Sequence, residues 1–457
     1  MAVWSKVQQK TLSKRLDAEY YQPKFLEIDN KLKISNTTNL INIANVSGGK
    51  RLPKGETFSE QGIPYIRVED INNVGYIDIN KVKTISKKVW SKIKNYSIAK
   101  DDIVLTIVGN TVGLTGILQK DLGISNITEN CAKISSKSRN IQNEFLFAIL
   151  ISKYGQLQVE REKVGTAQPK LALERLRNFK LPIFDEYNMN NIVKIVQQSK
   201  RLFIESQDLY QQATELLDKE LELDTLEFEK PINYTASFSE VITNNRTDSE
   251  YYQVHFRQIE EHLKKLNTLS LGTICSYIKG YEVGSSLYTE SGPIFIRVSN
   301  FTKHGFSFGD SDKHISDSTY NFFKAYKPNI GDILLTKDGT VGMCYVVDQE
   351  VEGIISSGIV NLTLLDESIP KEYLALVINS KICQMQANRD CSGALISHWK
   401  PQDIRKMKIP LLDIDTMQKI NDLVVASKTA LRESKQLLEQ AKNRVEQLIE
   451  KASKKDN

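Results

Sequence analysis

"RLDAEYYQPKF" runs from Arg15 to Phe25, and "RTDSEYYQVHF" runs from Arg246 to Phe256. Seven of the eleven positions are identical, at an offset of 231. Four further pairs follow in the same order. "GIPYIRV" (Gly62–Val68) matches "GPIFIRV" (Gly292–Val298), and "DIVLT" (Asp102–Thr106) matches "DILLT" (Asp332–Thr336), both at offset 230. "NEFLFAILISKYGQLQ" (Asn143–Gln158) matches "KEYLALVINSKICQMQ" (Lys371–Gln386), and "KLPI" (Lys180–Ile183) matches "KIPL" (Lys408–Leu411), both at offset 228. Collinear matches at nearly one offset define a tandem duplication, and a period this long means two domains rather than a solenoid.

Each half reads in three parts: a helical lead-in, a mixed region of short β-branched runs broken by glycine and asparagine, and a long helix. Ile195, Leu202, Leu209, Leu216 and Leu223 recur every seven residues, as do Val424, Leu431, Leu438, Val445 and Ala452. Ser199, Ser206 and Ala213, then Ser427, Ser434 and Ala441, run beside these seams and would admit close backbone approach. The first long helix is expected over about Asn188–Leu226. Residues 205–229 hold nine acids against one base, leaving +13 on the rest of a chain of net charge +5, and the second long helix is basic. Opposite charge beside two heptad seams predicts that the helices pair as a coiled coil. The alternative is that each helix packs on its own domain with its charges in water. The fold class expected is mixed α/β (α+β): two globular domains joined by two long antiparallel coiled-coil helices in a pseudo-twofold repeat. The boundaries expected are 1–184 for the first lead-in and domain, 185–230 for the central helix, 231–412 for the second lead-in and domain, and 413–457 for the last helix.

Among the 457 residues, 40% are hydrophobic and 26% charged, enough for sizeable cores. No apolar run approaches the ~18 residues of a membrane span. The first fifteen residues have no apolar core of a signal peptide, so the cytoplasm is the expected compartment. The five cysteines lack CxxC spacing and the five histidines are scattered, which predicts core thiols and no metal site. Phosphate-loop, dinucleotide, methyltransferase and nuclease signatures are absent. "GNTVG" (Gly109–Gly113) and "DGTVG" (Asp338–Gly342) read as tight turns. A binder is expected rather than an enzyme. Basic, amide and hydroxyl residues gather in "GGKRLPKGETFSEQ" (Gly48–Gln61), "REKVGTAQPKLALERLR" (Arg161–Arg177), "SYIKGYEVGSSLYTE" (Ser276–Glu290) and "NRDCSGALISHWKPQDIR" (Asn388–Arg405). Such side chains suit phosphates and base edges.

Taken together, "RLDAEYYQ", "GIPYIRVEDI" (Gly62–Ile71), "GDILLTKDGTVG" (Gly331–Gly342), "GTAQPKLALERLRNFKLPI" (Gly165–Ile183) and the duplicated layout resemble the specificity subunit of a type I restriction–modification enzyme. The resemblance implies two target recognition domains, each reading half of a bipartite double-stranded DNA site, with the helices setting the unread spacer. It implies two methyltransferase subunits and motor–nuclease restriction subunits as partners. Methyl donor, ATP and Mg would belong to those partners, and none to this chain. The second half departs from the pattern: "GALISHWKPQDIRKMKIPL" (Gly393–Leu411) has no counterpart of Gln168 and Pro169. A DNA-independent scaffold, a targeting subunit of a related defence system, and a self-sufficient nuclease or methyltransferase are the competing classes.

If the domains read different half-sites, base-reading side chains should differ between the repeats and shared structural ones should recur. That test selects Lys50, Arg51, Lys54, Lys163, Gln168, Lys279, Tyr281, Ser285, His398 and Trp399 as candidates for DNA contact, and Lys170 and Lys400 are further candidates. Arg161 and Arg389 recur and are candidates for phosphate; Arg67 and Arg297 also recur and are expected to pack. The duplicated string carries Asp17, Glu19, Asp248 and Glu250, which would repel phosphate. It is therefore expected to brace each domain against the helical rod or a methyltransferase subunit through Tyr20, Tyr21, Tyr251 and Tyr252.

Overall fold

The computed structural model describes residues 5–7, 12, 15–33, 36–229, 231–309, 311–392 and 397–455. It divides into two compact units, residues 1–205 with 430–457, and residues 206–429. Each unit thus holds one globular region and parts of both long helices, a division that cuts across the linear boundaries read from the sequence.

In the first unit, a 3-10 turn (Ala18–Tyr21) leads into α1 (Pro23–Lys31), which starts at a proline. Strands β1 (Ala44–Gly48), β2 (Ile103–Thr106), β3 (Thr115–Ile117) and β4 (Cys131–Ser136) form an antiparallel sheet in the order β1-β4-β2-β3. The "DIVLT" run supplies β2, whose four residues are all buried, as suits a central strand covered on both faces. "PYIRV" supplies Ile63–Ile66, which pairs antiparallel with Lys83–Ile85 and parallel with Asn126–Ile127. The helices α2 (Asn143–Ile151) and α3 (Lys153–Glu162) follow, α2 being buried almost all round. Thr37–Asn39 pairs with Lys180–Pro182 and closes the globular region at its two ends.

The second unit repeats this plan. A 3-10 turn (Ser249–Tyr252) precedes α4 (Val254–Leu263). Strands β5 (Cys275–Lys279), β6 (Ile333–Thr336), β7 (Cys344–Val346) and β8 (Ile359–Leu364) are ordered β5-β8-β6-β7. Tyr288–Ile296 lies between Lys313–Ile315 and Gly353–Ile355. The helices α5 (Lys371–Asn379) and α6 (Lys381–Asp390) match α2 and α3, and Thr268–Ser270 pairs with Lys408–Pro410.

The central long helix spans Glu186–Glu220 and the C-terminal one Ile414–Lys455. The central helix stops short of the expected Leu226. Glu222 takes a left-handed conformation (φ 54°), and the Leu223 N–H bonds the Asp218 carbonyl, closing a Schellman turn. Its length is therefore about 52 Å at ~1.5 Å per residue. In the first unit Arg444 bonds Asn188 while Ser434 meets Ser199, so the helices run antiparallel. The small residues do make the seam. Ser199 Oγ donates to the Ser434 carbonyl at 2.7 Å and Ser434 Oγ returns a bond to the Ser199 carbonyl at 2.9 Å. In the second unit Ser427 Oγ donates to the Ser206 carbonyl at 2.7 Å. The opposite charges do not act as expected: among the described residues no ion pair joins the two long helices. The acids at 205, 208, 215, 220, 222 and 224 are exposed and hydrated instead. Both packing alternatives hold at once, because residues of each long helix also enter the core of a globular region.

Candidate nucleic-acid interface

The duplicated string is an internal brace. Arg15 Nε donates to Asp17 at 2.8 Å and Arg246 Nε to Asp248 at 2.6 Å, while Tyr21 and Tyr252 donate their hydroxyls to the carbonyls of Arg15 and Arg246. Arg161, on α3, donates to the Tyr20 carbonyl, pairs with Asp29 at 2.7 Å and stacks 4.0 Å from the Tyr20 ring. Arg389, on α6, pairs with Asp390 and Glu260 and stacks on Tyr251. These guanidiniums are mostly buried and spent on their own unit, so Arg161 and Arg389 are not phosphate contacts. Tyr21 and Tyr252 are each 6% exposed, and their surface is used inside the unit rather than against another subunit. Tyr20 and Tyr251 are half-buried beneath the same arginines. Arg67 packs as expected, on the fully buried Asp70.

The antiparallel register sets the other candidates together. Gly48 of β1 faces Ala132, Thr106 of β2 faces Cys131, and Leu105 faces Thr115 of β3. One end of the four-stranded sheet therefore gathers the loops 49–62, 107–114, 128–130 and 163–171. Backbone bonds tie them: Gly49 N–H to the Cys131 carbonyl, Lys50 N–H to Ile127, Gly109 N–H to Pro169, and Leu171 N–H to Ile107. Gly49 is required here, since a Cβ would lie 2.1 Å from the Thr128 carbonyl oxygen. Gly109 and Gly113 hold positive φ in the tight turn read from "GNTVG". Lys50, Arg51, Lys54, Lys163, Gln168 and Lys170 all lie exposed on these loops. Arg51 pairs with Glu129, whose charge burial opposes but the Arg51 hydrogen bond keeps, holding that carboxyl below its usual range. Lys54, Lys163 and Lys170 have no carboxylate partner among the described residues.

The second unit builds the same end with different chemistry. Gly280 N–H bonds the Ile359 carbonyl, Tyr281 N–H bonds Ile355, Gly339 N–H bonds Ser397 and Trp399 N–H bonds Lys337. Gly280 is again irreplaceable, with a Cβ falling 2.3 Å from the Ser356 carbonyl oxygen. Tyr281 stacks on Phe323 at 4.2 Å between ring centroids. Lys279, Ser285, His398 and Lys400 are exposed. His398 Nδ1 lies 2.9 Å from Asp338, which Lys337 also binds at 2.6 Å. Burial works against the Asp338 charge, but these two hydrogen bonds hold its carboxyl below the ordinary range. Trp399 is a correction: it is 1% exposed, fills the core where Leu171 stands in the first unit, and cannot reach a base. Within the stretch Asn388–Arg405, residues 393–396 lie outside the described residues.

Sequence reasoning passed over Glu129, Glu282 and Asp338, because only basic, amide and hydroxyl side chains were sought as base readers, and Ser357, because it lies outside the four stretches singled out. Glu282 stood in plain view in the "SYIKGYEVGSS" stretch. Among the described residues no cluster of three or more His, Cys, Asp or Glu is placed to hold a metal, and no helix is long and apolar enough to cross a membrane.

Residues 35–214, which include the first sheet and its loop end, match the family model of the type I restriction modification DNA specificity domain. Over that stretch the chain is similar to the type I specificity-domain family. It is 34% identical over 139 residues to the type I restriction enzyme EcoBI specificity subunit of Escherichia coli, and 25% identical over 145 residues to the MjaVIII specificity subunit of Methanocaldococcus jannaschii. Those stretches cover 30% and 31% of this chain, and only 29% and 33% of the relatives' own lengths. Among solved structures, it is similar to a type I restriction–modification S subunit from M. genitalium (12% identity, TM-score 0.42, covering 92% of this chain and 96% of that one). It is also similar to the HsdS subunit of Thermoanaerobacter tengcongensis (15% identity, TM-score 0.30, covering 90% and 95%).

Proposed function

We propose that this chain is the DNA-reading subunit of a type I restriction–modification complex. Each unit reads one half of a bipartite, asymmetric duplex site with the loop end of its four-stranded sheet, and the paired long helices set the unread spacer. Two methyltransferase subunits and motor–nuclease subunits carry the chemistry, and methyl donor, ATP and Mg bind there rather than here. One observation carries the reading. The brace, the sheet, the helix hairpin and the cradled glycines recur in both units, while the side chains projecting from the loop end do not. A scaffold without a sequence to read has no use for that contrast.

The test is mapping of methylated adenines after replacing residues 30–180 by the matching region of a relative. Change in one half-site alone supports the reading, and an unchanged pattern refutes it. Inserting seven residues in each long helix adds about 10 Å, which corresponds to about three base pairs of spacer. An unaltered spacer rules out the ruler role, and absence of any DNA binding returns the scaffold alternative.

A further inference from the structure

At one position the two loop ends carry the same construction with the charge reversed. In the first unit the residue after Lys50 is Arg51, paired with Glu129 of the loop before β4. In the second, the residue after Tyr281 is Glu282, which accepts a 2.6 Å hydrogen bond from Ser357 of the loop before β8. The backbones are fixed alike. The preceding residue donates its N–H to a neighbouring strand end, at 3.0 Å for Lys50 and 3.1 Å for Tyr281. The following residue packs inward, Val283 at 1% exposure and Leu52 in a small apolar cluster. Arg51 and Glu282 are thereby both directed outward, and both are exposed.

From this we infer that Arg51 and Glu282 read the corresponding base pair of the two half-sites in opposite senses, an inference that rests on the DNA-reading function above. Arg51 uses Nε on Glu129, which leaves its terminal nitrogens for the O6 and N7 acceptors of guanine. Glu282 has one carboxylate oxygen on Ser357 and the other unpartnered among the described residues. An ionised carboxylate only accepts, repels phosphate, and among major-groove amino groups suits cytosine N4 over adenine N6, whose neighbouring N7 acceptor would face it. The second half-site therefore has cytosine on the contacted strand where the first has guanine.

The experiment is selection of bound duplexes from a randomised DNA library by the full chain, in the complex recovered with it from its source cells. Glu282→Gln keeps an acceptor for Ser357 and the side-chain shape while replacing the other oxygen by an amide donor, which gives the acceptor–donor pair suited to adenine N6 and N7. The expected result is about a tenfold loss of cytosine preference at one position of one half-site, with adenine gaining and the other half-site unchanged. Arg51→Gln should move a guanine position in the other half-site only. Base preferences unchanged by Glu282→Gln overturn this inference and leave the DNA-reading function standing. Failure of the unmodified complex to enrich any bipartite sequence overturns both.

Discussion

Lys428 Nζ lies 2.7 Å from Glu372 Oε1, and Lys200 Nζ lies 2.8 Å from Glu144 Oε1, the same bridge at an offset of 228 in each unit. In both cases a lysine on a long helix reaches the first turn of the hairpin helix packed against it, α5 or α2. Burial pushes the Glu372 carboxyl above its usual range despite Lys428, and Lys200 is raised because Asp101 and Glu144 outweigh its own burial. Breaking a buried pair leaves a lone buried charge, so Lys428→Met should cost the second unit about 3–5 kcal/mol. Lys428→Met with Glu372→Met should recover most of that. Denaturant unfolding of the three proteins measures it, and equal stability of single and double variants would show that the bridge is not the anchor.

The tyrosine brace acts within each unit. Tyr252→Phe removes one hydrogen bond to the Arg246 carbonyl and should cost about 1 kcal/mol. Tyr252→Ala empties a buried site and should cost about 3–5 kcal/mol. Neither should alter the recognised sequence of the protein that folds. A shifted methylation pattern in the Phe variant would place this residue at the DNA after all.

Lys54, Lys163 and Lys170 should bind phosphate. Each replacement by Ala should lower the slope of log affinity against log salt by about 0.9 and weaken all sequences alike. Binding titrations at several salt concentrations give the slope. An unchanged slope in the triple variant would remove these lysines from the interface.

Acid stability has a defined sign. The Arg15 hydrogen bond holds the Asp17 carboxyl below its ordinary range, and Arg246 does the same to Asp248. The unfolded carboxyl therefore takes up its proton first. The stabilisation is complete above an unfolded pKa of about 3.9 and is lost as pH falls through the lower folded value. Both side chains are more than a third exposed, so screening keeps the effect modest. Asp17→Asn with Asp248→Asn should flatten the fall in melting temperature between about pH 4 and pH 2.5. An equally steep fall would assign the acid limb to other carboxylates.

The sequence by itself determined the duplication, the strands "DIVLT" and "DILLT", the glycine turns and the long helices, because period, β-branching and heptad spacing are local signals. It also placed Lys54, Lys163 and Lys170 on exposed loops, since unpaired lysines rarely bury. Only the tertiary structure decided which charged residues are spent internally. Arg161 and Arg51 look alike in the sequence, yet one is clamped between Asp29 and the Tyr20 ring while the other projects from a strand end. Trp399 passed for a contact because nothing local reveals that its position is the core site of Leu171. The ends of the sheet bring together loops more than a hundred residues apart in the chain. The pairing of Glu282 with Ser357, and its reversal of Arg51 with Glu129, exists only once those strands are in register.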